Sequence, residues 1–251
     1  MSSSPPPQAK KGRPFNRDIV EGPIRKAVWT LAWPTMLQNL IGGLQGVVDH
    51  AMVGHYVGYT GNAAIGVSWQ IFLVVVVFIS SLFAGMGVLV ARFAGADDSE
   101  KVNRTVYQAF MTAAGLSVCI MAPLGYFLTP SLLDLVNAAP EVQAEALPYL
   151  RILFLFSFGM LTFFMAGGAF RSAGDPKTPL RLGILLTVLN LVLNVILIRG
   201  LGPIPAFGTT GAAMGTVIAG AVVSGIVVWI LLSQKGVVAV SYTHLRAHET
   251  S

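Results

Sequence analysis

Long apolar segments, separated by short polar ones, make up most of this chain. A helix rises about 1.5 Å per residue, so about 20 residues cross a hydrocarbon core of about 30 Å. The pattern predicts six such spans, at residues 28–55, 65–91, 105–128, 149–170, 181–198 and 211–233. The run IFLVVVVFI (71–79) lacks the polar stripe that helices of soluble proteins usually show. The sequence therefore predicts an all-α integral membrane protein with six transmembrane helices.

Composition agrees with this interpretation. The chain has 251 residues, of which 54% are hydrophobic and 11% are charged, whereas soluble domains carry roughly 25% charged residues. The single cysteine, Cys119, excludes an internal disulfide. The formal net charge is +5, and a basic protein can bind nucleic acid or anionic lipid. The positions of the basic residues distinguish these possibilities.

The basic residues predict the orientation of the spans. Of the 16 lysines and arginines, all but Arg151 and Arg199 fall on one side of the predicted spans. Basic loops are retained in the cytoplasm, so both termini are expected there, in a multi-pass protein of the inner (plasma) membrane. The basic charge therefore reflects topology, and nucleic-acid binding is not expected.

The two ends of the chain differ from the apolar middle. Residues 1–27 are rich in serine and proline, then basic, with no apolar core; this composition predicts a disordered cytoplasmic tail. The final stretch SYTHLRAHETS (241–251) abruptly breaks the apolar pattern and looks like translated adapter sequence. We interpret residues 237–251 as a non-native tail and residues 28–236 as the six-helix unit.

Asp49 is the acidic residue that the pattern places well inside a span. A carboxylate at membrane depth costs several kcal/mol, and it usually faces a cavity and marks an ion or proton site. The alternative is a structural acid that is hydrogen-bonded within the bundle. Pro34, in the same span, removes a backbone hydrogen bond and is predicted to kink the helix.

Two predicted spans carry polar stripes at helical spacing. The first contains Gln38, Gly42, Gln45 and Asp49. The fifth contains Thr187, Asn190 and Asn194. Asp49 and Asn194 both lie roughly 7–11 Å from the outer ends of their spans, so the stripes can share one cavity. A helix–helix seam with hydrogen-bonding side chains is the open alternative for the glutamines and asparagines.

Local signals also predict how two of the spans are built. Thr178 followed by Pro179 is typical of a helix cap with proline at the first helical position. Gly211 and Gly215, four residues apart, predict close helix packing in the sixth span.

Five segments, taken together, resemble those of one transporter family. They are LAWPTMLQNLIGGLQGVVDHAMVG (31–54), VLVARFAGADD (88–98), FRSAGDPKTP (170–179), LNLVLN (189–194) and GLGPIPAFGTTGAAMGTVIA (200–219). In this order, over residues 22–236, they are similar to the N-terminal half of the multidrug and toxic compound extrusion (MATE) family, and a bacterial source is expected.

The resemblance implies a fold and an activity. MATE proteins have two six-helix lobes around a central cavity and export organic cations and drugs in exchange for H⁺ or Na⁺. This chain then corresponds to a truncated N-terminal lobe, with a C-terminal lobe missing. The family's cation site maps onto Asp49, Asn190 and Thr216. Some members have a second aspartate where Asn194 stands, which leaves the coupling ion open. No enzyme activity, no cofactor beyond the coupling ion, and no metal beyond Na⁺ at Asp49 is expected. Gln38, Gln45 and Thr187 are candidate cavity-lining residues.

Three other functions are considered. A lipid-linked-precursor flippase of the same wider superfamily would need basic residues in its cavity, and the pattern places no Lys or Arg well inside a span. An intramembrane enzyme would need a nucleophile–base pair or metal ligands within spans, which the sequence does not show. A channel or structural six-helix protein remains an alternative, which ion-linked drug binding would distinguish from an antiporter.

Overall fold

The computed structural model describes residues 23–233, and these form helices without a β-sheet. The helices are α1 (Ile24–Tyr56), α2 (Tyr59–Gly95), α3 (Ser99–Gly115), α4 (Ala122–Leu135), α5 (Pro140–Leu155), α6 (Phe158–Ser172), α7 (Lys177–Arg199) and α8 (Gly208–Leu232). The predicted C-terminal tail at 237–251 and most of the predicted N-terminal tail at 1–27 lie outside the described residues. Because α1 begins at Ile24, the helix starts a few residues earlier than the predicted first span.

The eight helices form six membrane-length segments, as the sequence predicts for one lobe. Four of them are long and apolar enough to cross a membrane: α2, α7, α8 and the continuous pair α3–α4. The pair α5–α6 also meets this criterion when taken as one span, bent by 55°. Helix α1 has 33 residues but is not among these candidates, since its polar stripe makes it less apolar than the other five.

Two of the spans are broken at the same place in the bundle. A π-helical turn, Leu116–Met121, joins α3 to α4, and the bend between α5 and α6 lies at Phe156 and Ser157. Pro123 follows the π turn and cannot donate a backbone hydrogen bond, which accounts for the local change of helix type. The Oγ atoms of Ser117 and Ser157 lie 3.0 Å apart and join the two breaks in a buried contact.

The fourth span begins at Pro140 rather than at the predicted residue 149. Polar residues such as Glu141 and Glu145 fall in the first turns of α5, and they hid the beginning of the helix from the hydropathy pattern. As a result Arg151 lies inside the helix; at 1.5 Å per residue it is roughly 16 Å from Pro140. The prediction that no Lys or Arg lies well inside a span is therefore wrong at Arg151.

The start of α7 also differs from the prediction. The helix begins at Lys177, and Asp175 caps it: the backbone N–H groups of Lys177 and Thr178 donate to Asp175 Oδ1 at 3.2 and 3.1 Å. The Thr178 hydroxyl donates to Asp175 Oδ2 at 2.6 Å. Asp175 was not predicted to cap, because a Thr-Pro pair carries a cap signal of its own.

Close packing of α7 on α8 positions the polar residues described below. Helix α8 approaches the α7 backbone at Gly211, where an added Cβ would lie 2.7 Å from the carbonyl carbon of Leu197. One turn later an added Cβ at Gly215 would overlap the Asn194 side chain. The close packing predicted from Gly211 and Gly215 is thus confirmed. Helix α1 packs on the other side of α7, so α7 lies between the two helices that face its polar stripe.

Candidate functional site

A chain of hydrogen bonds links α1, α7 and α8 at the level of Asp49. Asn194 Nδ2 donates to Asp49 Oδ1 at 2.8 Å. The same Nδ2 donates to Asn190 Oδ1 at 3.2 Å, one turn along α7. Asn190 Nδ2 in turn donates to Thr216 Oγ1 at 3.1 Å on α8. The structure therefore brings together all four residues to which the sequence gives a cation or proton role, and that role itself stays a prediction.

Asn194 is held in one orientation by its surroundings. Its side chain is fully buried, and its Nδ2 serves both hydrogen bonds. Its Oδ1 is also buried but has no hydrogen-bond partner among the described residues, and it lies against Gly215. A buried amide oxygen without a partner is costly, so this atom is a free acceptor next to the carboxylate.

Thr216 lies at the far end of the hydrogen-bond chain. Its hydroxyl donates to the backbone carbonyl of Ala212 at 3.0 Å, so the lone pairs of Oγ1 face away from its own helix and accept from Asn190. The hydroxyl is thereby committed as an acceptor toward α7. This local bond, a common helix interaction of threonine, fixes the polarity of the chain from Thr216 to Asp49.

Asp49 also forms part of the wall of an open cleft between α1 and α7. The cleft has a volume of about 200 Å³ and is lined by Ile41, Leu44, Gln45, Val48, Asp49, Thr187 and Leu191. Thr187 Oγ1 donates to Gln45 Oε1 at 2.7 Å across the two helices. The two predicted cavity-lining residues Gln45 and Thr187 therefore lie in the cleft wall, and Asp49 is the charged residue among its lining.

Gln38 lies elsewhere. It is half-buried beside α7, where an added Cβ at Gly183 would be 3.3 Å from its Cγ, and its Oε1 accepts from Arg171 Nη1 at 3.4 Å. It is three helical turns from Asp49 along α1 and is not among the residues that line the cleft. The glutamine stripe is thus divided between a helix seam and a cavity wall.

Pro34 is buried within α1, and the helix continues through it. Proline leaves the carbonyl of the residue four positions earlier, Thr30, without its usual helix partner. The Thr30 hydroxyl makes its own bond, donating to the Lys26 carbonyl at 2.7 Å. The proposed kink at Pro34 stays a prediction.

Two polar contacts near the same end of the bundle were not predicted. His50 Nδ1 lies 2.5 Å from Asn62 Oδ1 and links α1 to α2. Thr209 Oγ1 donates to Glu145 Oε2 and links α8 to α5. The sequence offered the weak signal of polar residues at the ends of neighbouring spans, but pairing them requires knowing which helices are adjacent.

The arrangement can bind one proton or one small cation. Asp49 supplies a carboxylate, and Asn194 Oδ1, Asn190 Oδ1 and Thr216 Oγ1 supply neutral oxygens nearby. Oxygen donors of this kind suit a hard monovalent cation. Among residues 23–233 no group of three or more His, Cys, Asp and Glu side chains is arranged to hold a metal ion. Chemistry at this site therefore depends on one titratable group surrounded by amide and hydroxyl oxygens.

Comparison with known proteins identifies the fold family. The MatE family profile matches residues 34–196. Over 216 residues the chain is 30% identical to a probable multidrug resistance protein NorM of Thermotoga maritima, covering 84% of this chain and 45% of that protein. It is 31% identical to the DNA damage-inducible protein F of Escherichia coli over 77% of this chain and 41% of the relative.

A solved structure described as MATE in the straight conformation has the same fold. It is 25% identical and superposes with a TM-score of 0.81 over 93% of this chain and 51% of its own. The chain thus spans about half the length of the relatives it matches. Its helices have the arrangement of one lobe of that fold, and the chain belongs to the MatE family.

Proposed function

We propose that this chain is the N-terminal lobe of an antiporter that exports organic cations and drugs in exchange for H⁺ or Na⁺. The observation that carries the proposal is the position of Asp49: it is the charged residue in the wall of the α1–α7 cleft, and Asn194 holds it at 2.8 Å. Membership of the MatE family and similarity to multidrug resistance proteins support the same assignment.

The coupling step follows from the chemistry of one carboxylate in an apolar setting. Burial of a charge is costly, so the carboxylate is stable either protonated or ionised beside a cation. Na⁺ or a cationic drug supplies the positive charge in the second state, with the amide and hydroxyl oxygens of Asn190, Asn194 and Thr216 as further ligands. Proton and cation then compete for Asp49, and this competition couples their opposite movements.

A complete transport cycle needs a second lobe. Transporter sites form at the interface of repeats, and alternating access moves one repeat against the other. Since the relatives are about twice as long as this chain, we propose that a C-terminal lobe completes the cavity. The protein would then act in the bacterial plasma membrane with both termini in the cytoplasm, as the basic loops predict.

A cationic cargo is favoured over the anionic cargo of a flippase. Arg151 does lie inside a span, but it is not among the residues that line the cleft. An anionic group in the cleft would face Asp49 without a compensating positive charge, which is unfavourable at low dielectric. The charge of the cleft therefore supports export of cations.

The test is ethidium efflux from proteoliposomes containing the two-lobe transporter, under an imposed H⁺ or Na⁺ gradient. Asp49→Asn retains the shape and hydrogen bonding of the side chain and removes its charge, and we expect gradient-driven efflux to be abolished. Asp97→Asn, an exposed acid in the α2–α3 connection, is the matched control and should transport normally. Full coupled efflux by folded Asp49→Asn protein would contradict the proposal.

A further inference from the structure

Arg151 is a charged residue inside a membrane-length segment that has no counter-ion. The described residues contain one ion pair, Lys101 with Asp98 at 2.7 Å, and Arg151 takes no part in it. Its Nε is buried without a hydrogen-bond partner. An arginine stays ionised under all physiological conditions, and an isolated charge at membrane depth is unfavourable by several kcal/mol. Its position therefore calls for an anion that residues 23–233 do not supply.

The guanidinium is oriented by α4. Its Cζ lies 4.7 Å from the centre of the Tyr126 ring, a distance typical of cation–π stacking. Gly125, the preceding residue, lets α4 approach α5 so closely that an added Cβ there would overlap Phe154. This close approach sets Tyr126 over Arg151. Stacking covers one face of the guanidinium and leaves its edge, with the Nη donors, available.

The surface around this pair is apolar and uncovered. Tyr126 is 47% exposed and Phe127 is 75% exposed, and Leu124 and Leu128 on the same helix are also exposed. Within the described residues nothing packs over this face of α4. In a bilayer such a surface contacts acyl chains, so the molecules that can reach Arg151 are lipids.

We propose that Arg151 and Tyr126 form an intramembrane site for the phosphate group of an anionic phospholipid, in the leaflet next to the α4–α5 connection. The guanidinium fork matches two phosphate oxygens, while the acyl chains lie along the exposed face of α4. Long basic side chains reach toward the headgroup region, and the bilayer thins locally around them. The site does not include Asp49, so this inference is independent of the proposed transport function.

Photo-crosslinking of the folded protein tests this site directly. A benzophenone amino acid in place of Phe127 reports the lipid beside Tyr126 in nanodiscs of equal parts phosphatidylglycerol and phosphatidylcholine. We expect phosphatidylglycerol to be captured about ten-fold more than phosphatidylcholine, the ratio that corresponds to one charge-assisted contact. Arg151→Gln should abolish this preference. Arg199→Gln, at the outer end of α7, removes an arginine of the same predicted side and should leave it unchanged.

Two further arms keep the result decisive. Arg151→Lys retains the charge but loses the fork and the stacking, so it should lower the preference even if Arg151→Gln does not fold. Excess inorganic phosphate should not displace the lipid, because it lacks acyl chains; displacement would overturn the assignment to a phospholipid. Equal capture of the two lipids by the wild-type protein, or a preference that survives Arg151→Gln, would also overturn it.

Discussion

Asn194 illustrates how a single side chain determines the state of its neighbour. Its amide presents a donor to Asp49 at 2.8 Å and a second contact to Asn190 at 3.2 Å, while its buried oxygen lies against Gly215 without a partner. The orientation favours an ionised Asp49, since a carboxylate accepts from an N–H group. Small changes in the space around this amide should therefore alter the site without touching the carboxylate.

Gly215→Ala tests the packing around Asn194. The added methyl group overlaps Asn194 Oδ1, so it should displace the amide from Asp49 and lower the stability of the protein by about 1–3 kcal/mol. Thermal unfolding of the purified protein measures the change. Gly225→Ala, on the same helix with no atom within 4 Å of the added Cβ, is the control and should be neutral or slightly stabilising. Equal unfolding temperatures for both variants would contradict the described packing.

Helical spacing and depth predicted the meeting of Asp49 with Asn194, because two polar stripes at equal depth in neighbouring spans have few other partners. The same reasoning failed at Arg151, where acidic residues at the start of α5 shifted the predicted boundary by nine residues, from 149 to 140. It also could not pair His50 with Asn62, since both lie at helix ends where many neighbours are possible. Spacing locates a residue on its own helix, whereas packing selects its partner.

At the scale of helices, α8 is joined to α5 by one buried polar contact at its first turn. Thr209, fully buried, donates from its hydroxyl to the Glu145 carboxylate. No side chain caps the start of α8 at Phe207, and a carboxylate near a helix N-terminus is favourable. Glu145 therefore stabilises the beginning of a neighbouring helix rather than of its own.

Thr209→Val should destabilise the protein by about 1–3 kcal/mol, because it leaves the half-buried carboxylate of Glu145 without this donor. The free energy of unfolding in denaturant, or the thermal midpoint in detergent, measures the loss. The neighbouring Thr210→Val makes the same change of shape at a less buried position and should cost much less. Equal losses in the two variants would show that the Glu145 contact contributes nothing specific.

The broken spans mark the limit of prediction at this scale. Hydropathy detected the third and fourth spans, because each contains enough apolar residues to cross a membrane. It did not detect the π turn or the bend of 55°. Pro123 was a visible signal for the first break. The bend at Ser157 has no proline within it and depends on contacts with Ser117 and with α8, where an added Cβ at Gly159 would be 2.7 Å from the Gly220 backbone.

At the scale of the molecule, the orientation in the membrane is an expectation that cysteine labelling can test. After Cys119 is replaced by alanine, single cysteines at Tyr59 and Ala139 should react from outside intact cells, and those at Ser99 and Lys177 should not. All four positions are exposed. Gly61 and Asp175 are unsuitable, since Gly61 is buried and Asp175 caps α7. External labelling of Ser99 or Lys177 would contradict cytoplasmic termini.

The central claim is that a proton and a cation compete for Asp49, and proton release on cation binding measures this most directly. Tetraphenylphosphonium is added to the purified two-lobe transporter in weakly buffered detergent solution, over a series of pH values, while bound cation and released protons are counted. The account predicts that, at pH values where Asp49 is protonated before binding, about one proton leaves per cation bound, and that Asp49→Asn releases none. Cation binding by the wild-type protein without proton release at every pH, or equal release by Asp49→Asn, would contradict it.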